Sequence, residues 1–214
     1  MMQHRGMKGQ PIATQARDGF RDRMRRITQA SLKAATMKVT EMHPDSARWY
    51  CLHVKKGREF DVENALTVAN VEAYMPREKE SFIRRGKKFD VVQPAIPGYL
   101  LVRLVPSPEA FLGVRHQNHV IDFVGGAGGY HIIKDMHVAV FKALFGDGEA
   151  PRVATDKTIG QGTEAEIVFG PFTGFRCVVT AVRYCREARA SVRIDVQGRP
   201  FDIERMPLAH LKKV

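Results

Sequence analysis

The stretch from Pro94 to Val105, Pro-Ala-Ile-Pro-Gly-Tyr-Leu-Leu-Val-Arg-Leu-Val, constrains the fold more than any other part of the chain. Its two prolines favour an extended backbone, and Gly98 permits a turn that a Cβ atom would disfavour. The seven residues that begin at Tyr99 contain six large apolar side chains, interrupted only by Arg103. This run predicts a strand at the centre of a sheet, covered on both faces.

The composition is that of a basic globular protein. The 214 residues include 34 Lys or Arg and 23 Asp or Glu, which gives a net charge of +11. This excess predicts a polyanionic partner such as nucleic acid. No apolar run reaches the length of a membrane span, and three cysteines without a Cys-x-x-Cys pair argue against a disulfide framework. We therefore expect a cytoplasmic protein with free thiols and no membrane association.

Residues 1–48 form a basic extension that carries over half of the net charge. Phe20, Met24, Ile27 and Ala34 recur at helical spacing, so an amphipathic helix could form there against a partner. The overall pattern nevertheless favours a disordered, flexible tail. Methionines downstream of Met1 leave the natural start of the chain open: Met24, Met37 and Met42.

Residues 49–147 predict an α+β fold in which helices pack on a mainly antiparallel sheet. The predicted strands cover 49–54, 99–105 and 120–124, and the segment 81–93 predicts an exposed hairpin with a basic tip at 84–88. One predicted helix carries the apolar stripe Val62, Ala65, Leu66 and Ala69, a second starts at Ser107-Pro108-Glu109, and a third carries Met136, Val140, Phe141 and Leu144.

The sequence offers no recognisable catalytic or metal site. The glycine-rich loop at 125–129 follows a strand but matches neither of the common nucleotide-binding motifs. The five serines lie in no nucleophile elbow, and the acids are scattered. Cys51 and His53 share one face of a strand, but two ligands without further spaced partners are typical of core packing. We expect neither enzymatic activity nor a cofactor.

A linker at 148–159 and a second unit at 160–214 complete the chain. The linker contains Pro151 and lacks periodicity. Short strands are predicted at 166–169, 177–184, 190–196 and 201–203, and their regular spacing indicates a small closed β-barrel. The clean alternation from Ser191 to Val196 predicts that this unit is stably β.

Together the two units resemble the NusG family of transcription elongation factors and its specialised paralogues of the RfaH kind. Trp49-Tyr50 opens the first unit as in that family, and Ile96–Val102 resembles the Phe-Pro-Gly-Tyr-Val-x-Val signature. Residues 120–126 resemble the strand that closes the family's N-terminal (NGN) domain, and residues 162–179 resemble the KOW motif. The resemblance implies an NGN domain followed by a KOW β-barrel.

The resemblance also implies a function and a surface. The first unit would bind the clamp helices of the largest RNA polymerase subunit, while the loop 105–113 approaches the opposite lobe. Such a factor, a monomer when free, would promote processive elongation and suppress pausing or termination. The residues at positions matching the polymerase-binding pocket are Tyr50, His53, Ile96, Pro97, Gly98 and Tyr99.

Two basic groups are candidates for contact with non-template DNA or nascent RNA. The first occupies positions where paralogues touch the exposed DNA strand and comprises Lys55, Lys56 and Arg58. The second is the predicted hairpin tip with Arg84, Arg85 and Lys87. Cations near single-stranded phosphates fit this chemistry, although a solvated turn accounts for the same residues.

The second unit departs from the housekeeping pattern. Its candidate partner-binding residues are Phe172, Gln197 and Arg199, and Gln197 stands where those members carry an exposed aromatic side chain. Contact with Rho or ribosomal protein NusE is therefore doubtful, and a specialised antiterminator is favoured. KOW modules also occur in ribosomal proteins, so an RNA- or ribosome-binding role in translation or ribosome assembly is the alternative.

Overall fold

The computed structural model describes residues 12–126, 128–146, 156, 158–184 and 188–214. It contains a helical N-terminal extension, an α+β unit and a strand-rich C-terminal unit. None of the helices in these ranges is both long enough and apolar enough to cross a bilayer.

The N-terminal extension is helical where the sequence favoured disorder. It consists of α1 (Ile12–Leu32), a 3-10 turn (Lys33–Ala35) and α2 (Met37–Met42). Leu32 and Ala35 are buried against the α+β unit. The favoured prediction of a disordered tail therefore does not hold over 12–42, where the structure is largely helical. The predicted apolar stripe does not anchor the helix, since Met24 and Ile27 are exposed; the extension packs through Leu32 and Ala35 instead. Residues 1–11 lie outside the described part of the chain.

The α+β unit confirms the predicted fold class. Its elements are β1 (Arg48–Val54), α3 (Glu59–Val68), β2 (Glu72–Tyr74), β3 (Arg77–Arg84), β4 (Lys87–Pro94), β5 (Tyr99–Leu104), α4 (Pro108–Arg115), β6 (Val120–Phe123), β7 (Gly125–Gly126), β8 (Gly129–Tyr130), β9 (Ile132–Ile133) and α5 (Asp135–Gly146). The main sheet has the order β2-β5-β1-β6, with β9 also pairing with β1, and all of these pairs are antiparallel. Strands β3 and β4 form a separate hairpin, as predicted.

Strand β5 lies inside the sheet and is covered on both faces, as its apolar run predicts. Leu100, Val102 and Leu104 belong to a core that includes residues of α3 and α4. Tyr99 and Leu101 belong to a second core that extends into the C-terminal unit. Since side chains alternate along a strand, one sheet supports two different covering layers.

Helix α4 begins as its sequence predicts. The Ser107 hydroxyl oxygen accepts a hydrogen bond of 3.1 Å from the Ala110 N–H, and Pro108 occupies the first turn. Such a cap satisfies a backbone donor that the helix leaves unpaired.

Helix α5 buries a different stripe from the predicted one. Met136 and Val140 are exposed, whereas Val138, Phe141 and Phe145 are buried. The apolar helix offers two periodic stripes, and contact with the sheet and the C-terminal unit selects the second. The prediction is therefore wrong for Met136 and Val140 and right for Phe141.

The C-terminal unit consists of β10 (Glu164–Ile167), β11 (Arg176–Tyr184), β12 (Ala188–Val196), β13 (Arg199–Pro207), a 3-10 turn (Leu208–His210) and β14 (Leu211–Lys213). Its strands form an antiparallel sheet with the order β13-β12-β11-β10-β14. Alternate residues of β12 are buried, including Val192, Ile194 and Val196, which is consistent with the predicted small barrel. Most of the predicted linker, namely 148–155 and 157, lies outside the described residues, as does Cys185.

Candidate functional site

The candidate site is built on two adjacent strands, β1 and β5. In their antiparallel register His53 lies opposite Tyr99, and the two rings stack with centroids 5.0 Å apart and planes inclined by 15°. Ile96, Pro97 and Gly98 form the turn that leads into β5. We call these five residues the signature surface.

The turn is fixed by a carboxylate that sequence reasoning missed. The Gly98 N–H donates a 2.7 Å hydrogen bond to Oε1 of Glu59, which is only 2% exposed in the first turn of α3. Gly98 has a φ of +85°, a region where glycine avoids the strain of a Cβ atom. The signal in the sequence that could have indicated this role is the position of Glu59, an acidic residue at the start of a helix. Glu59 thus positions the backbone of the signature surface.

Tyr50 does not belong to this surface. It faces the opposite side of β1 and is buried in the other core, where its ring makes an edge-on contact with Phe111 at 5.1 Å. Because consecutive side chains of a strand point to opposite faces, Tyr50 and His53 cannot serve one pocket. The structure therefore does not bring Tyr50 together with the other residues predicted to contact polymerase.

The C-terminal unit covers the signature surface. Phe172 makes an edge-on contact with Tyr99 at 5.5 Å, and Phe201 makes one with His53 at 6.1 Å. Tyr99 is 2% exposed and Ile96 is 6% exposed. The residues that were predicted to receive an external partner therefore form an aromatic contact within the chain.

Burial sets the protonation of the two stacked rings. It raises the pKa of the Tyr99 hydroxyl, and the nearby negative charges of Asp202 and Glu204 act in the same direction. It lowers the pKa of His53, and the positive charges of Lys56 and Arg199 lower it further while Asp122 opposes them. Tyr99 is thus held as a hydrogen-bond donor and His53 as a neutral ring.

Ion pairs surround the aromatic contact. Two guanidinium nitrogens of Arg189 each lie 2.9 Å from a Glu78 oxygen, and the two side chains are only 15% and 9% exposed. Three other pairs between the described residues of the two units are more exposed: Arg205 with Glu80 at 2.6 Å, Lys56 with Glu204 at 2.6 Å and Arg199 with Asp122 at 3.3 Å. Exposed pairs contribute little, so Arg189 and Glu78 are the pair whose loss matters most.

The predicted partner-binding tip of the C-terminal unit is also engaged. Gln197 has a positive φ, and its Oε1 accepts a 3.0 Å hydrogen bond from the Gly128 N–H. A Cβ atom on Gly126 would lie 2.5 Å from the Gln197 Cβ. Phe172 is fully buried and Arg199 pairs with Asp122, so all three candidate residues of this unit contact the α+β unit.

The candidate nucleic-acid residues lie on separate elements. In the loop between β1 and α3, Lys56 pairs with Glu204 and Arg58 pairs with Asp61, while Lys55 is exposed and has no ion pair among the described residues. Arg85 and Lys87 are exposed at the tip of the β3–β4 hairpin. The side chain of Arg84 lies outside the described part. The structure leaves Lys55, Arg85 and Lys87 available.

Comparisons with known proteins point to one family. The family model described as transcription termination factor nusG matches residues 47–142. The transcription termination/antitermination proteins NusG of Staphylococcus epidermidis and Staphylococcus aureus are each 26% identical to the chain over 166 residues. These matches cover 73% of the chain and 91% of each relative.

Two solved structures are also similar. One, described as domain interaction in Thermotoga maritima NusG, is 22% identical with a TM-score of 0.41 and covers 78% of this chain and 97% of that one. The other is an MjSpt4:Spt5 complex, 16% identical with a TM-score of 0.25, which covers 78% of this chain and 97% of that one.

Proposed function

We propose that the chain belongs to the NusG family of transcription factors and that it is an elongation factor whose signature surface binds the clamp helices of RNA polymerase. The supporting observation is the clustering of His53, Ile96 and Tyr99 on one face of the sheet, around a turn that Glu59 fixes. Aromatic and aliphatic side chains grouped in this way are suited to anchor a partner. Bound there, the factor suppresses pausing or termination.

In the proposed mechanism the C-terminal unit must leave before polymerase binds. Tyr99 and Ile96 are buried beneath it, so both partners need the same apolar area. When only the open form of a protein binds a partner, the observed affinity is the affinity of the open form multiplied by the fraction of molecules that are open. The same displacement frees Phe172 and Gln197, so polymerase binding exposes the candidate partner-binding tip.

Nucleic-acid contact is the second part of the proposal. Lys55 and the hairpin-tip residues Arg85 and Lys87 are exposed cations without ion pairs among the described residues. Cations of this kind bind phosphate groups without reading sequence. We assign them to DNA or RNA that lies next to the bound factor during elongation.

The test is binding of the purified chain to core RNA polymerase, followed by read-through of a terminator in a transcription assay. Ile96→Asp places a charge in an area that must lose its water, so we expect binding and read-through to be lost. The matched control is Ile121→Asp, since Ile121 is an exposed isoleucine of the same sheet. Circular dichroism verifies that both variants fold.

Two results would overturn the proposal. If the wild type fails to bind polymerase, or if Ile96→Asp binds as well as Ile121→Asp, the signature surface is not the polymerase site. Binding to ribosomal subunits in place of polymerase would support the alternative role of the C-terminal unit in translation or ribosome assembly.

A further inference from the structure

Helix α1 is held in a defined position by an unusually close backbone contact. Ser31 and Leu32, at its C-terminal end, are buried. A Cβ atom on Gly113 of α4 would lie 2.5 Å from the Leu32 backbone nitrogen and 2.7 Å from the Ser31 carbonyl carbon. Only glycine permits this approach, so α1 is docked on α4 at a specific site.

The side of α1 that faces away from this contact carries positive charge. With about 100° of rotation per residue, Arg23 and Arg26 of α1 and Lys33, the first residue of the 3-10 turn that follows α1, fall within an arc of about 80°. Leu32 lies about 180° from Arg23. All three cations are exposed, and none of them has an ion pair among the described residues. We call Arg23, Arg26 and Lys33 the cationic face.

We propose that the cationic face binds the phosphate backbone of duplex DNA, irrespective of base sequence. This inference goes beyond the polymerase-binding function, because it concerns a segment outside the matched family region of 47–142. A docked helix presents its cations without first having to fold, which reduces the entropic cost of binding. Neutralising phosphates then releases counterions and supplies the affinity.

The composition of the face favours a duplex over a single strand. Proteins that bind single strands combine cations with aromatic rings on which bases stack. The arc from Arg23 to Lys33 contains no aromatic residue. Ala30 lies within the arc, and Ile27 lies just outside it. Phosphate contacts alone hold a helix on a duplex backbone. Asp22, also exposed, lies at the edge of the arc and reduces but does not cancel the positive charge.

The experiment measures the binding of a labelled random-sequence DNA duplex of about 30 base pairs by fluorescence anisotropy at several salt concentrations. The variant Arg23→Gln/Arg26→Gln/Lys33→Gln removes three cations from the face. The matched control Lys134→Gln/Lys212→Gln/Lys213→Gln removes three exposed lysines elsewhere on the protein. Thermal unfolding verifies that both variants are folded, and polymerase binding without nucleic acid is expected to stay unchanged in both.

The expected result is a weaker affinity and a shallower salt dependence for the first variant only. Each phosphate contact contributes about −0.9 to the slope of log K against log salt, so losing three reduces the slope by about 2 to 3. Equal losses in both variants would show that net charge alone binds DNA and would overturn the proposal. The proposal would also be overturned if the three substitutions weakened the binding of a single-stranded RNA of equal length more than they weakened the binding of the duplex.

Discussion

The hydroxyl group of Tyr99 donates a hydrogen bond to the backbone carbonyl oxygen of Asp202, 3.0 Å away, and so joins the signature surface to β13 of the C-terminal unit. Tyr99, which the family resemblance predicts to contact RNA polymerase, thus makes its contact within its own chain. Because two units on one chain meet at a high effective concentration, an external partner must compete with this contact. Weakening the contact is therefore expected to favour polymerase.

Arg189→Ala is expected to shift the chain toward the open form. The substitution breaks the ion pair with Glu78, whose side chain is 9% exposed, and losing one partner of a buried pair typically costs roughly 3 to 5 kcal/mol. Energy transfer between dyes on the two units should fall. The control is Arg193→Ala on the same strand, whose pair with Asp202 lies within the C-terminal unit and is exposed. Equal effects of both variants would contradict the assigned role of Arg189.

Glu59→Ala is expected to loosen the turn of the signature surface. The buried Gly98 N–H then loses its acceptor, which costs about 1 to 3 kcal/mol. Thermal unfolding should show the lower stability, and polymerase affinity should fall because Ile96 and Tyr99 are less well positioned. Glu59→Gln retains an acceptor oxygen and should recover most of both properties. If Gln rescues neither, the hydrogen bond is not what positions the turn.

Gly113→Ala is expected to displace α1 from α4, because the added Cβ atom would lie 2.5 Å from the Leu32 nitrogen. Hydrogen exchange of the amides from 28 to 35 should become faster. Gly19→Ala is the matched control, since a Cβ atom there meets nothing within 4 Å and alanine favours a helix by up to about 1 kcal/mol. Unchanged exchange in the Gly113 variant would contradict the docking of α1.

Acidification is expected to destabilise the protein through His210. Burial lowers the pKa of His210 to about 4, and the charge of Arg189 acts in the same direction. The neutral ring is therefore favoured in the folded state, so its contribution is complete above the ordinary pKa of about 6.5 and is lost as the pH falls toward 4.

The measurement for His210 is the midpoint of thermal unfolding between pH 7.5 and 4.5, in the wild type and in His210→Gln. The wild type should lose stability over this range by up to roughly 3 kcal/mol more than the variant, because glutamine does not titrate. Parallel pH profiles for the two proteins would show that His210 does not contribute.

Local patterns predicted the elements of the fold but not how the two units meet. The apolar run of β5, the cap of α4 and the β3–β4 hairpin all follow from sequence-local physics. Strand alternation also placed Cys51 and His53 on one face, and applied to Tyr50 it would have excluded that residue from the surface. A family motif that is matched position by position does not indicate which face of a strand each residue occupies.

The covering of the signature surface depends on contacts between residues far apart in sequence. Glu78 and Arg189 are 111 positions apart, and each resembles an ordinary solvated charge when its own segment is considered. The docking of α1 likewise depends on Gly113, because only a residue without a side chain lets the Leu32 backbone approach so closely. No periodicity within α1 reveals this contact. Such pairings are determined by tertiary packing, so sequence patterns alone left the extension disordered and the surface open.

The most direct test of this account is the affinity of core RNA polymerase for the wild type, for Arg189→Ala and for Arg189→Ala/Tyr99→Asp. We predict that Arg189→Ala binds more tightly than the wild type, by roughly tenfold or more if the open form is rare. Adding Tyr99→Asp should then abolish binding, since the exposed surface itself is damaged. Unchanged affinity in Arg189→Ala, or tight binding by the double variant, would contradict the claim that the C-terminal unit covers the polymerase site.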